Sequence, residues 1–271
     1  MHKPKIFNKT KKFSHSENRM RNEGNVIEAR YDFYKKGSPN LKLLIENRYK
    51  WMNKYILPSD VGIEVGAGAG FSKDFIKSMN FKITDKANYE WLDIKNIDAL
   101  NMPFENNSLD FILCSNMIHH LAIPSVFFKE VSRVLKNGGK LIIQEINASL
   151  LMRLLLSLMK HEGYSYDVDP FDDNCICTDK DNLWSANCAI PNLLFDNPII
   201  FEKKIPFFKF KHSSFDECIA FINSGGVISK TFFLPLPKYF VKIIQKLDKL
   251  LCCFPSLFAL QRQVVLEKRL K

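Results

Sequence analysis

Glycine is scarce in this chain, 11 residues in 271, yet Gly66, Gly68 and Gly70 fall within five consecutive positions. So tight a cluster in so poor a background marks a place where the backbone must turn or approach a ligand closely. Cysteine is too irregular for a disulfide framework or a zinc knuckle. There are seven, Cys175 and Cys177 are one residue apart, and Cys252 and Cys253 are adjacent, so no metal site is expected. No charged, apolar and small leader opens the chain. The most apolar run, residues 150–159, is broken by Arg153 and falls far short of the roughly 20 residues a membrane span needs. Together these absences predict a reduced, cytoplasmic protein.

Hydrophobic residues make up 46% and charged residues 25%, an ordinary globular balance, with 23 Phe to fill a bulky core. The net charge of +10 favours an anionic partner without choosing among nucleic acid, membrane surface and phosphorylated substrate. Part of the excess sits in residues 1–25, read as a basic flexible arm. Residues 26–57 carry Leu41, Leu44, Ile45, Tyr49, Met52 and Ile56 at helical spacing and form an N-terminal helical cap. Residues 58–271 form the main domain, with a substrate-covering insertion over 148–200 and an amphipathic helical region over 238–260.

Within that domain, strands are expected at 61–65, 81–84, 94–99, 110–114 and 140–145. Helices are expected at 71–79 and 124–135, the second ended by Asn137, Gly138 and Gly139. Further strands are expected at 205–211 and 263–267. Alternating strands and helices imply a parallel sheet with right-handed crossovers. The predicted fold class is therefore α/β and doubly wound.

The sequence VGIEVGAGAGF sets the glycines directly after the first strand, where open α/β sheets bind nucleotide-type ligands. Phe71 stands where a dinucleotide fingerprint needs a small residue. Glu64, two residues before Gly66, would repel a pyrophosphate but favour a ligand carrying ammonium and sulfonium charge.

In these motifs the chain resembles the class I (Rossmann-like) S-adenosylmethionine-dependent methyltransferase family, in its small-molecule, type 11-like branch. The resemblance runs over residues 60–147 through IEVGAGAG, FKITD, IDALNMPFENNSLDFILCSNMIHHL and VSRVLKNGGKLIIQE. It implies a mostly parallel seven-stranded sheet with an antiparallel last strand, QVVLE, and S-adenosylmethionine as cofactor. Carried over residue by residue, it places the cofactor on Glu64, Gly66, Ala67, Gly68 and Gly70. Asp85 would grip the ribose hydroxyls, Asp98 and Ala99 the adenine edge, and Ser115, Asn116 and Met117 would lie under the methionine moiety. One departure is visible: only the eight residues 86–93 separate Asp85 from Ile94, too few for the usual helix, and Tyr89 or Trp91 could stack on the side this opens.

Methyl transfer from a sulfonium needs collinear, water-free alignment, and a base only where the nucleophile carries a proton. The candidates for that base are His161, then Glu145, then His120. The site lacks the Pro-Pro-aromatic and Pro-Cys signatures of base methylation, so nucleic acid is disfavoured as substrate. A cationic amphipathic stretch, KYFVKIIQKLDKLL, could lie on an anionic membrane. The expected reaction is O-methylation of a small-molecule or lipid-linked acceptor such as a saccharide or secondary metabolite, as in bacterial enzymes whose tails this one resembles. The enzyme would be cytoplasmic, with peripheral contact to the inner membrane face. Two rival readings stay open: an RNA or protein methyltransferase using the basic arm, and a non-catalytic cofactor-binding scaffold.

Overall fold

The computed structural model of the chain describes residues 25–36, 38–159, 162–182, 184–228, 231 and 233–270. The expected basic arm, except Asn25, lies outside them. Helices α1 (Val26–Lys35) and α2 (Pro39–Lys50) open the described chain, followed by a 3-10 turn at Trp51–Tyr55. The α2 start is written in the sequence: Ser38 accepts the Leu41 N–H at 3.1 Å, and Pro39 sits at the first helical position.

Strands β1 (Val61–Val65), β2 (Asn80–Thr84), β3 (Leu109–Ser115) and β4 (Leu135–Ile146) run parallel. Helix α3 (Pro124–Val134) connects β3 to β4. Helices α4 (Leu150–Met159), α5 (Ile190–Phe195) and α6 (Pro198–Lys204) follow, then β5 (Phe208–Asp216), α7 (Ile219–Ile222), α8 (Lys238–Leu251) and β6 (Gln261–Lys268). The sheet order is β2-β1-β3-β4-β6-β5. β6, which contains QVVLE, inserts antiparallel between β4 and β5, as the sequence predicted.

Period-two alternation sorts the strands' side chains onto two faces. Phe111, Leu113, Ile142 and Val265 pack with Phe33, Leu41, Ile45 and Tyr49 of the cap helices. Ile112, Cys114, Leu141, Ile143, Val264 and Leu266 pack with Phe127, Phe128 and Val131 of α3 and with Leu194 and Phe201 beyond it. Large side chains such as Phe111, Phe127 and Phe128 are fully buried, each worth about 1.5–3 kcal/mol of transfer free energy. Gly62 is required by this packing, since a Cβ there would lie 2.4 Å from the Phe111 ring.

Three expectations are corrected. The helix over 71–79 is only a 3-10 turn at Phe71–Asp74. The nine residues from 71 to 79 must also return to β2, and Asn53 of the cap pins that return by bonding Phe75 O and Lys77 N–H at 2.8 and 2.9 Å. The cap helices supply the layer that a crossover helix would have filled. The strand over 94–99 is a single bridge between Thr84 and Ile94, so the sheet has six strands among the described residues, not seven. Asn96 at φ +58° and the bond from Ile97 N–H to Asp85 O bend this segment out of extension. Finally, α3 stops at Val134, and Gly138 and Gly139 belong to an irregular start of β4. Gly138 has φ +78°, and a Cβ on Gly139 would meet Lys136 O at 2.8 Å.

Candidate active site

All three loop glycines adopt the left-handed conformation, with φ +71° at Gly66, +50° at Gly68 and +69° at Gly70. Side chains there would be strained, and at Gly66 a Cβ would also strike Met117 Cγ at 2.4 Å. Around Gly68 the space is open: a Cβ would meet nothing within 4 Å. The loop is tied down by Ala67 N–H to Thr84 O at 3.0 Å and Gly70 N–H to Ala67 O at 2.8 Å.

Asp85 stands at the end of β2 and accepts the N–H groups of Gly68 and Ala87, each at 2.8 Å. A carboxylate has about four acceptor positions, so both oxygens keep capacity for another donor. Trp91 donates its indole N–H to Gly68 O at 2.9 Å and stacks on Tyr89 at 4.8 Å between ring centroids. The two rings thus stack on each other beside the loop. Arg30 of α1 reaches the same place, donating to Ala69 O at 2.6 Å with its guanidinium 4.9 Å from the Trp91 ring centroid.

Glu64 is fully buried on the cap side of β1. Tyr49 of α2 donates to it at 3.2 Å, and Ser72 donates to its other oxygen. Burial outweighs these two bonds and pushes the carboxyl up to about 8, with the charge of Asp85 adding to the rise. Tyr49 also bonds the Ser115 side chain, so a single phenol links Glu64 to the end of β3. Sequence reasoning missed Tyr49 and Ser72. The only signal for Tyr49 was its place on the apolar face of the cap, which reads as packing, and Ser72 carried none.

Asp98 accepts the Leu100 N–H at 2.9 Å and lies 3.2 Å from Lys86, while Ala99 is buried behind it. The Ile97 N–H to Asp85 O bond brings this segment beside Asp85 although no strand forms. Asn116 takes φ +51°, donates its N–H to Gln144 O at 2.8 Å and accepts from Gln261 at 3.0 Å. Met117 lies against Gly66. The glycine loop, Asp85, the Asp98 segment and residues 115–117 therefore converge at the carboxyl edge of the parallel strands.

A second constellation sits beyond Met117. Glu145, fully buried at the end of β4, accepts the N–H groups of Met117, Ile118 and Ile146 at 3.1, 2.8 and 2.8 Å, and its Oε1 lies 2.5 Å from His119 Nδ1. Burial alone would lower the His119 pKa, but Glu145, with Glu162 beyond, overrides it and holds it above the usual imidazole value. The protein packed around His120, together with His119 against it, pushes His120 down to about 4. His120 Nδ1 donates to Ser185 O at 3.0 Å, and its Nε2 lies 3.8 Å from Glu162. His161 lies outside the described residues.

Residues 63–143, from β1 into β4, match the family model of a methyltransferase domain. The chain is 26% identical over 150 residues to the uncharacterized protein MJ1123 of Methanocaldococcus jannaschii, covering 52% of this chain and 71% of that one. It is 37% identical over 56 residues to MJ0638 of the same organism, covering 21% and 24%. Its fold is shared with an S-adenosylmethionine-dependent methyltransferase from Archaeoglobus fulgidus, at a TM-score of 0.51 and 14% identity, over 88% of this chain and 98% of that one. Residues 63–143, which span β1 into β4, thus match a methyltransferase domain, and the chain as a whole shares the fold of an S-adenosylmethionine-dependent methyltransferase.

Proposed function

We propose that this enzyme methylates an oxygen of a small-molecule or lipid-linked acceptor, with the cofactor held across the glycine loop and Asp85. The observation that carries the placement is Asp85 itself. It is fastened to Gly68 and Ala87 by two amides, partly exposed, and still has acceptor capacity beside open space at Gly68. S-adenosylmethionine fits this donor set, since a carboxylate suits a vicinal diol and the open glycine backbone suits close approach. When bound, it supplies a methyl group on a sulfonium leaving group. The chain's own residues hold the ribose (Asp85), meet the adenine edge (Asp98, Ala99) and seat the methionine moiety (Ser115, Asn116, Met117). Asp85→Ala is expected to raise the Kd for S-adenosylmethionine about 100-fold, the loss of two charge-assisted hydrogen bonds. Calorimetric titration measures it, and an unchanged Kd would remove Asp85 from the site.

Glu145 accepts four bonds, so we assign it to positioning residues 117–119. Of the described candidates, His120 is neutral at pH 7 and half-buried, so it can hydrogen-bond an acceptor hydroxyl, while a pKa lowered to about 4 makes it a weak base.

The lipid-linked acceptor rests on an exposed apolar surface. Leu150, Leu154 and Leu158 form a stripe on α4, and Phe240, Leu247, Leu250 and Phe254 are exposed on and after α8. The start of α4 meets the segment that follows α8, where Leu150 N–H bonds Ser256 O and Leu151 N–H bonds Leu257 O, each at 2.9 Å. Lys242, Lys246 and Lys249 are exposed along α8. No helix among the described residues is long and apolar enough to cross a membrane. A cationic apolar surface of this kind suits the face of an anionic bilayer. The protein should sediment with anionic vesicles at low salt and not with zwitterionic ones. Replacing the three lysines with Gln should weaken that partition about 100-fold, at roughly 1 kcal/mol per charge. Equal partition before and after substitution would refute the membrane contact.

A further inference from the structure

The cluster beyond Met117 holds two carboxylates, a thiol and two imidazoles in a buried space, and methyl transfer uses little of it. We infer that His119 Nε2, Glu162 and Cys188 Sγ form a binding site for one divalent transition-metal ion of the zinc class, which fastens the covering segment to the edge of the sheet.

Geometry comes first. The three donor atoms lie within 4.8 Å of one another. Glu162 Oε2 is 3.6 Å from His119 Nε2 and 3.2 Å from Cys188 Sγ. Donors bound at about 2.0–2.3 Å in a tetrahedron stand roughly 3.3–3.8 Å apart, so these two separations nearly match the edges of such a site. Imidazole nitrogen, thiolate sulfur and carboxylate oxygen are the three donor types zinc takes.

The orientation of His119 fits the same reading. Its Nδ1 faces the Glu145 carboxylate at 2.5 Å and keeps its proton there, so Nε2, which faces Glu162, is the nitrogen that gives up its proton to solvent and takes the metal on loading. A carboxylate behind a histidine is the arrangement that fixes the tautomer of metal-bound imidazoles. Glu145 is itself held by three backbone N–H groups, so this support is rigid.

The backbone under the ligands is already clamped. Asn187 N–H donates to His119 O at 2.8 Å, Cys188 N–H donates to Gly163 O at 3.0 Å, and Gly163 and Asn187 form a parallel bridge. Each ligand thus sits on, or next to, a residue hydrogen-bonded to another ligand's segment. Little ordering remains to be done on binding. Charge points the same way: Glu145, Glu162 and a thiol surround one buried imidazole, an excess of acidic groups that a dication neutralises. Zinc takes the thiolate, so the Cys188 proton leaves to solvent on loading. The three ligands come from the β3 end and from both ends of the covering segment, a spacing of 43 and 26 residues that no linear motif displays.

The test uses tag-free full-length protein stripped with a chelator. Zinc should bind at one equivalent per chain and raise Tm by several degrees, since it binds only the folded arrangement. Cobalt(II) in its place should give a thiolate-to-metal charge-transfer band in the near ultraviolet. Cys188→Ser should abolish that band, and Glu162→Gln should lose most of the Tm rise, while both variants still unfold cooperatively without metal. Two results would overturn the proposal: no saturable zinc binding by the parent protein, or an unchanged band and stoichiometry in Cys188→Ser, which would assign the metal to other cysteines. An ion pair of His119 with Glu145 and Glu162 alone predicts the first of these.

Discussion

Arg48→Ala should cost about 3–5 kcal/mol of stability at neutral pH, the largest loss expected from a single substitution outside the cofactor site. Arg48 lies in α2 and Glu217 in the turn after β5, and they form a two-pronged pair at 2.7 Å on both arms, with side chains only 4% and 6% exposed. Removing the guanidinium leaves a carboxylate stranded in the interior. The backbone beneath that carboxylate is fixed, since Glu217 sits at φ +58° and its carbonyl receives the Leu260 N–H at 2.8 Å. Burial already lifts the Glu217 pKa above the usual range despite Arg48. A raised folded-state pKa favours the protonated form, so the penalty in Arg48→Ala should shrink at pH 5 and be full at pH 8. Urea unfolding at both values measures it. The double variant Arg48→Met with Glu217→Gln should recover most of the loss, since it leaves no buried charge behind. A single-variant loss below 1 kcal/mol at pH 8 would show that the pair contributes little to tying the cap to the sheet.

The core that matches a methyltransferase domain was legible because its signals are local. A strand of alternating apolar residues followed by glycines at 66, 68 and 70, an acidic residue at 85, and QVVLE near the C-terminus are each a short pattern with one physical reading. The six-stranded outcome was only half legible. The short 86–93 connection announced that the crossover helix was missing, but not that Asn96 would turn left-handed and reduce a strand to one bridge. Likewise 71–79 read as a helix because it follows a strand and a glycine loop in an alternating series. What decides its shape is Asn53, bonding it from the cap at long range. The second cluster was invisible for the same reason. His119, Glu145, Glu162 and Cys188 come from four separate segments, and only the folded sheet edge brings them together.

Glu64 carries the other large effect, because its carboxyl is pushed up to about 8 in the folded chain against an ordinary 4.5. Between those two values the folded state holds a proton that the unfolded chain releases. Stability from this group is therefore complete below about pH 4.5 and declines as pH rises through 8, at roughly 1.4 kcal/mol per pH unit. Glu64→Gln keeps the shape of the protonated carboxyl and removes the titration. The Tm of the variant should match the parent near pH 5 and exceed it by a margin that widens up to pH 9. Cofactor binding should act on the same proton. At pH 7 the carboxyl is mostly protonated, and the ammonium and sulfonium charges of S-adenosylmethionine favour its ionised form. Binding should then release close to one proton per chain, read as a dependence of the binding enthalpy on the ionisation enthalpy of the buffer. S-adenosylhomocysteine, which lacks the sulfonium charge, should release less, and Glu64→Gln should release none. Tight binding with no proton released at pH 7 would place Glu64 among the core contacts of Tyr49 and Ser72 and outside the electrostatics of the cofactor.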